Sequence, residues 1–183
     1  KESYTTTLEA LASILDLREK PSSEHSRRVS NMIKVLAREM GFSGRKLDTF
    51  VHGALLHDIG KIAIPDSILQ KPVPLTEAEW VLVREHAKIG YDIVSACPAF
   101  EAVSEIVLSH QERYDGTGYP RGLKGEDICI GARLFSVLDA YDAMRSKRPY
   151  CGPQSAEDAK AEIIACSGVQ FDPKVVEAFL RCQ

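Results

Sequence analysis

Residues 46–61 read KLDTFVHGALLHDIGK. Leu47, Phe50, Val51, Ala54 and Leu55 recur at three-to-four spacing, the period of one buried helix face. Asp58 continues that stripe with His57 beside it, and Gly60 and Pro65 then stop the helix. The end of a buried helix is a costly place for an adjacent imidazole and carboxylate, so both need partners there.

The same pattern recurs on either side. Ser22 and Ser23, behind Pro21, are N-cap candidates for a helix whose inward residues are His25, Val29, Met32, Ile33, Leu36 and Met40, ending at Gly41. Thr76 and Glu79 form a capping-box signature that opens a helix with Leu82, His86, Ile89 and Ile93 on one face. Val103, Ile106, Val107 and His110 repeat the arrangement, and Ala132, Phe135, Asp139 and Asp142 line up between Ile128 and Met144. Ser155 caps a helix to about Cys166, and Asp172-Pro173 opens a last one through Leu180. Tyr114 to Gly125 holds Gly116, Gly118, Pro120, Gly122 and Gly125 and reads as a shaped loop. No segment has strand period and no repeat is present, so the expected fold class is all-α, a bundle of about six to eight helices over residues 20–183. Residues 1–19, with Leu8, Leu11, Ile14, Leu15 and Arg18, read as a leading helix, either a connector from an upstream domain or a dimer-forming helix.

Composition narrows the function classes. At 183 residues, 44% hydrophobic and 27% charged, the chain suits one well-cored domain and neither a disordered nor a collagen-like one. With 23 Lys+Arg against 26 Asp+Glu, the net charge of −3 offers no footprint for a nucleic-acid polymer, and a phosphate ligand would need a local cationic pocket. Cysteines at 97, 129, 151, 166 and 182 are odd in number and form no CxxC pair, which opposes a zinc ribbon or disulfide framework and points to a reducing cytoplasm. No run is long enough to cross a bilayer, and the start KESYTTTLEA has neither a signal-peptide pattern nor an initiator Met, as expected of a piece of a longer chain.

Four of the five histidines, at 25, 57, 86 and 110, fall on apolar faces of different expected helices, together with Asp58 and Asp139. One inward histidine is more often a satisfied core residue than a ligand. Four of them with two carboxylates in a modest core are explained economically by a divalent metal. The adjacent pair His57-Asp58 suits two ions, since a carboxylate can bridge metals about 3.5 to 4 Å apart while the neighbouring imidazole binds one. His52 reads as structural or surface.

HDIGK at 57–61, IPDSIL after it, HQERYDGTGYPRGLKGE at 110–126, HSRRV at 25–29, TEAEW at 76–80, DAYDA at 139–143, RPY at 148–150 and FDP at 171–173 are the motifs of a known family in its order. From about Ser22 to Leu180 the chain resembles the HD-GYP family of bacterial cyclic-di-GMP phosphodiesterases. The resemblance implies a cytoplasmic bacterial enzyme on an all-helical HD fold. Two divalent metals, iron or manganese, would support hydrolysis of cyclic di-GMP to pGpG, and in some members to GMP, by a metal-bound hydroxide.

Residue by residue, it implies that His25, His57, Asp58 and Asp139 hold the first metal, with Asp58 as the bridge, and that His86 and His110 hold the second. Lys61 matches the phosphate-contacting lysine, Tyr119 the motif tyrosine and Arg148 a substrate-binding arginine. Asp142 matches an acidic residue of the catalytic pocket, expected to orient the nucleophile or accept a proton. Partners implied are GGDEF-domain proteins through the GYP loop and a second copy of the chain.

Three positions depart from the family. Gln111 replaces a second-metal histidine, and a neutral amide oxygen binds late transition metals less well than imidazole, so the second site is expected to be weak or empty. Pro21 stands where members with a third metal carry Glu, and Cys151 where a basic residue is common. The competing reading is a degenerate cyclic-dinucleotide receptor or interaction module with little turnover. A hydrolase for another cyclic dinucleotide, such as cyclic GMP-AMP, stays open because guanine and adenine are told apart by pocket contacts that sequence does not display.

Overall fold

In the computed structural model, which describes residues 2–19, 24–146 and 152–182, the apolar stripes become helices and no strand forms among the described residues. The α-helices are α1 (Glu2–Glu19), α2 (His25–Glu39), α3 (Gly44–Leu56), α4 (Asp66–Leu69), α5 (Glu77–Arg84), α6 (His86–Ser95), α7 (Glu101–Ser109), α8 (Ile130–Arg145), α9 (Ala156–Ala165) and α10 (Pro173–Arg181). Short 3₁₀ turns occupy Ile59–Ala63, Pro98–Phe100 and Gly125–Asp127.

Ten described helices exceed the expected six to eight because α4 is a single turn and the helix opened by Thr76 is two helices. At Glu85 the ladder tightens, its N–H donating to Leu82 O at 3.3 Å, before α6 resumes with Ile89 N donating to Glu85 O at 2.9 Å. The expected inward face is corrected accordingly, since α5 buries no residue, and Leu82 and Ile93 are 51% and 44% exposed. His86 is nevertheless drawn inward by a close backbone approach. A Cβ on Gly60 would lie 2.0 Å from the His86 carbonyl oxygen, so only glycine lets the Ile59–Ala63 turn sit against the start of α6.

The core joins Val29, Ile33 and Leu36 of α2 to Phe50 and Leu55 of α3, Ile106 and Val107 of α7, Phe135 and Leu138 of α8 and Phe179 of α10. Each such side chain contributes roughly 2 kcal/mol when fully withdrawn from water. Helix α1 lays Leu8, Ala12 and Leu15 into the same core against α2 and α3. His52 is structural, with its Nε2 3.3 Å from Thr5 Oγ1 and its ring edge-on to Phe100.

Local caps follow the sequence. Thr76 and Glu79 complete a capping box, Ser155 Oγ accepts from Asp158 N at 3.0 Å, and Asp172 Oδ1 accepts from Lys174 N at 2.8 Å. Pro21, Ser22 and Ser23 lie outside the described residues, and Glu24 at the cap position of α2 makes no side-chain cap bond. The cap comes from α1: Asp16 accepts from Ser26 N at 3.1 Å and from Ser26 Oγ at 2.9 Å. Arg18 then ties the end of α1 to the turn after the HD pair, donating to Lys61 O at 2.9 Å and to Asp66 Oδ1 at 2.8 Å. Cys97, Cys129, Cys166 and Cys182 are free thiols, and Cys151 lies outside the described residues. No helix among the described residues is long and apolar enough to cross a membrane.

Candidate metal centre

Three histidines are oriented by one device. The last carbonyls of a helix lack intrahelical donors. His57 donates Nδ1–H to Ala54 O at 2.8 Å, His86 to Val83 O at 2.6 Å and His110 to Val107 O at 2.6 Å, each to the residue three positions upstream. With Nδ1 held by that carbonyl, Nε2 points the other way, free of the helix.

The three Nε2 atoms converge on Asp58. His57 Nε2 lies 2.9 Å from Asp58 Oδ2, while His86 and His110 Nε2 lie 3.5 and 3.8 Å from Oδ1 and 3.1 Å from each other. Burial drives His86 below the usual imidazole range, and burial with the neighbouring His57 brings His110 down to about 3, so both rings are neutral at neutral pH. Two lone pairs then face each other beside Asp58 Oδ1, a buried oxygen without a hydrogen-bond partner. Burial opposes charge on Asp58, but His57 and Lys61 outweigh it and hold the carboxyl well below its ordinary range. Converging nitrogen donors and an orphaned, ionised carboxylate oxygen repel one another alone and fit a divalent cation. Asp58, His86 and His110 form a group that could hold a metal ion, with ligand atoms all within 4.8 Å of one another.

His25 and Asp139 extend the cluster. Their Nε2 and Oδ1 are 3.2 Å apart, and the His25 ring lies 5.5 Å from that of His57. Burial opposes the His25 imidazolium, yet its bonds to Asp139 and Asp142 push its pKa up to about 10. Asp142 stands behind His25, accepting from its Nδ1 at 2.8 Å and from Arg28 Nε and an Arg28 terminal nitrogen at 2.7 and 2.8 Å. Burial opposes ionisation there too, and Arg28 and His25 bring its carboxyl down to about 2. Both Asp142 oxygens are thus engaged by His25 and Arg28, on the side of the His25 ring away from Asp139.

Lys61 projects its ammonium back onto Asp58 Oδ2 at 2.7 Å, and Phe135 packs beneath the His57 ring at 4.5 Å. A cavity of about 280 Å³ opens beside the centre, lined by Arg84, His110, Gln111, Tyr119, Ser136 and Asp139 among others. The Tyr119 ring sits 6.4 Å from that of His86. Gln111 lies on the cavity wall next to His110, with its backbone oxygen accepting from Tyr119 N at 3.3 Å. Gly118 permits that approach, since a Cβ there would come within 2.3 Å of Arg113 N. Arg148 lies outside the described residues.

Three contributors were not foreseen. Arg28 pairs with Asp142, and its only sequence signal is its place three residues after His25. Buried Glu112 pins the Gly-rich loop by accepting from Arg121 N at 2.8 Å and Leu123 N at 3.0 Å, a task suggested only by an acid entering a glycine-rich stretch. Arg84, whose Cζ lies 5.6 Å from the Tyr119 ring centroid, had no signal in periodicity.

The family model described as HD domain matches residues 9–175. A cyclic di-GMP phosphodiesterase of Thermotoga maritima is 43% identical over 96% of this chain and 48% of its own length. The cyclic di-GMP phosphodiesterase response regulator RpfG of Xanthomonas campestris is 40% identical over 99% of the chain and 48% of its length. The solved structure of a cyclic GMP-AMP specific phosphodiesterase of Vibrio cholerae superposes with a TM-score of 0.75 at 24% identity, over 97% of this chain and 48% of that one. The chain thus spans about half the length of the curated relatives it matches. A helical frame that turns four histidines and two aspartates toward one centre, together with the match over residues 9–175, places the chain in the HD-domain family, with the HDIGK and DGTGYP segments of its HD-GYP members.

Proposed function

We propose that this chain hydrolyses cyclic di-GMP to pGpG at a centre of two divalent metals, iron or manganese. The observation that carries the reading is the convergence of three imidazole Nε2 atoms on Asp58, whose Oδ1 is buried without a hydrogen bond, at the edge of a cavity. Relatives 40 to 43% identical that bear the phosphodiesterase name favour turnover over the receptor reading.

Asp58 would bridge the metals, with His25, His57 and Asp139 completing one site and His86 and His110 the other, where Gln111 adds at most an amide oxygen. Bound divalent metals lower the pKa of water from about 15.7 toward 7 and offset charge on a phosphoryl group. The residues supply the rest. Carbonyls of Ala54, Val83 and Val107 hold the Nδ1 protons, so each Nε2 faces the centre. Arg28 and Asp142 fix the His25 ring. Lys61, already against Asp58, places a cation where negative charge grows on the phosphoryl oxygens during cleavage. Tyr119 and the loop pinned by Glu112 wall the substrate cavity, and Arg148 grips the substrate. The protein works in a bacterial cytoplasm, with GGDEF-domain proteins docking on the GYP loop and a second copy as partner.

The test is anaerobic reconstitution with ferrous iron or manganese, followed by metal analysis and chromatography of products from cyclic di-GMP and 3′3′-cGAMP. Sustained pGpG formation is expected. Bound dinucleotide with no product would establish the receptor instead, and preferential cleavage of 3′3′-cGAMP would reassign the substrate.

A further inference from the structure

Two cations line the cavity beside the metal centre, Arg84 and Arg113. Arg113 is committed: its Nε donates to Thr117 Oγ1 at 3.0 Å, a terminal nitrogen donates to Gln170 Oε1 at 2.9 Å, and Asp115 lies 3.8 Å away. The Arg84 guanidinium, by contrast, makes no hydrogen bond or ion pair among the described residues. It sits over the Tyr119 ring, 5.6 Å from the centroid. Arg84 closes α5, where a cation suits the helix dipole, but that role alone would not bring the guanidinium over a tyrosine on another segment. Stacking on the ring keeps the planar fork in place while its N–H donors stay unspent.

A cyclic dinucleotide carries two phosphates. On the function proposed above, on which this inference rests, the scissile one meets the metal centre and Lys61, and the other enters the same cavity still charged. We propose that Arg84, steadied by Tyr119, is a substrate-binding residue that takes this second, non-scissile phosphate. It thereby selects cyclic dinucleotides over esters with a single phosphate. The geometry favours phosphate over a base because the planar fork can pair with two phosphate oxygens at once, and the Tyr119 face beneath it is already covered.

The test compares the parent chain with Arg84→Gln and Arg84→Lys, all loaded with manganese. Affinity is measured for a hydrolysis-resistant bis-phosphorothioate of cyclic di-GMP, and kcat/KM for cyclic di-GMP, 3′3′-cGAMP and bis(p-nitrophenyl) phosphate. Arg84→Gln is expected to lose roughly ten- to hundredfold in affinity for the analogue, the worth of a charged hydrogen bond. Its kcat/KM on the dinucleotides should fall by a similar factor relative to the single-phosphate ester, and Arg84→Lys should recover part of both. No loss, or equal losses on dinucleotide and single-phosphate ester, overturns the assignment. So does a loss that separates cyclic di-GMP from 3′3′-cGAMP, because that would put Arg84 on a base. A parent chain that binds the analogue without cleaving cyclic di-GMP defeats the phosphodiesterase reading, while the affinity ratio still decides Arg84. A parent that binds no analogue defeats both.

Discussion

Gln111 sits on the cavity wall between His110, whose Nε2 faces Asp58, and the loop that carries Tyr119. An imidazole there would add a neutral nitrogen donor where the amide offers only a carbonyl oxygen, and nitrogen is the better ligand for iron. Gln111→His is therefore expected to raise occupancy of the second site, read by elemental analysis as more iron per chain than the parent retains under equal, sub-saturating loading. Unchanged metal content would mean that residue 111 faces no second site. The histidines of the centre were legible in the sequence because each is a polar residue at an apolar period, a conflict that local structure cannot resolve. Asp142 shares that period with Asp139 and both meet His25, yet only Asp142 also meets Arg28, which the fold brings across 114 residues. Arg84 and Glu112 were hidden for the same reason: their partners are a ring and two amides in a loop whose path no pattern encodes.

Among the helices, boundaries set by a neighbouring side chain were legible and those set by another helix were not. Thr76, Ser155 and Asp172 cap their own helices from within three residues, so their spacing declares them. Helix α2 instead takes its cap from Asp16 of α1, ten residues away, and the break between α5 and α6 follows the approach of Gly60 to the His86 carbonyl. Because His25 is the first residue of α2, the Asp16 cap fixes the turn that presents a metal-ligand candidate. Asp16→Ala is expected to cost about 1 kcal/mol, the usual worth of an N-cap. In a chain of 183 residues this lowers Tm by roughly 2 to 4 °C, measurable by calorimetry on the metal-free protein. Asp16→Asn, which keeps an acceptor, should recover most of the loss, and equal losses in the two variants would show that charge rather than capping is at work.

The candidate ligands reach the centre from the start of α2, the end of α3, the start of α6, the end of α7 and the middle of α8, so five helices meet at one point through polar atoms. Without a cation that point is unfavourable, with two lone pairs 3.1 Å apart and a buried carboxylate oxygen unbonded. A metal that binds the folded chain and not the unfolded one stabilises it by mass action, about 2.7 kcal/mol at a hundredfold excess over Kd. Manganese at that excess is thus expected to raise Tm by roughly 5 to 10 °C, and a chelator to reverse the shift. Removing the charge at the meeting point, as in Asp58→Asn, should abolish most of the metal-dependent shift even if the metal-free variant melts near the parent, since the loss lies in binding rather than in packing. An equal shift in parent and variant would place the metal elsewhere. No shift in either would mean that these nitrogens converge for packing alone, and the centre would lose its claim to catalysis.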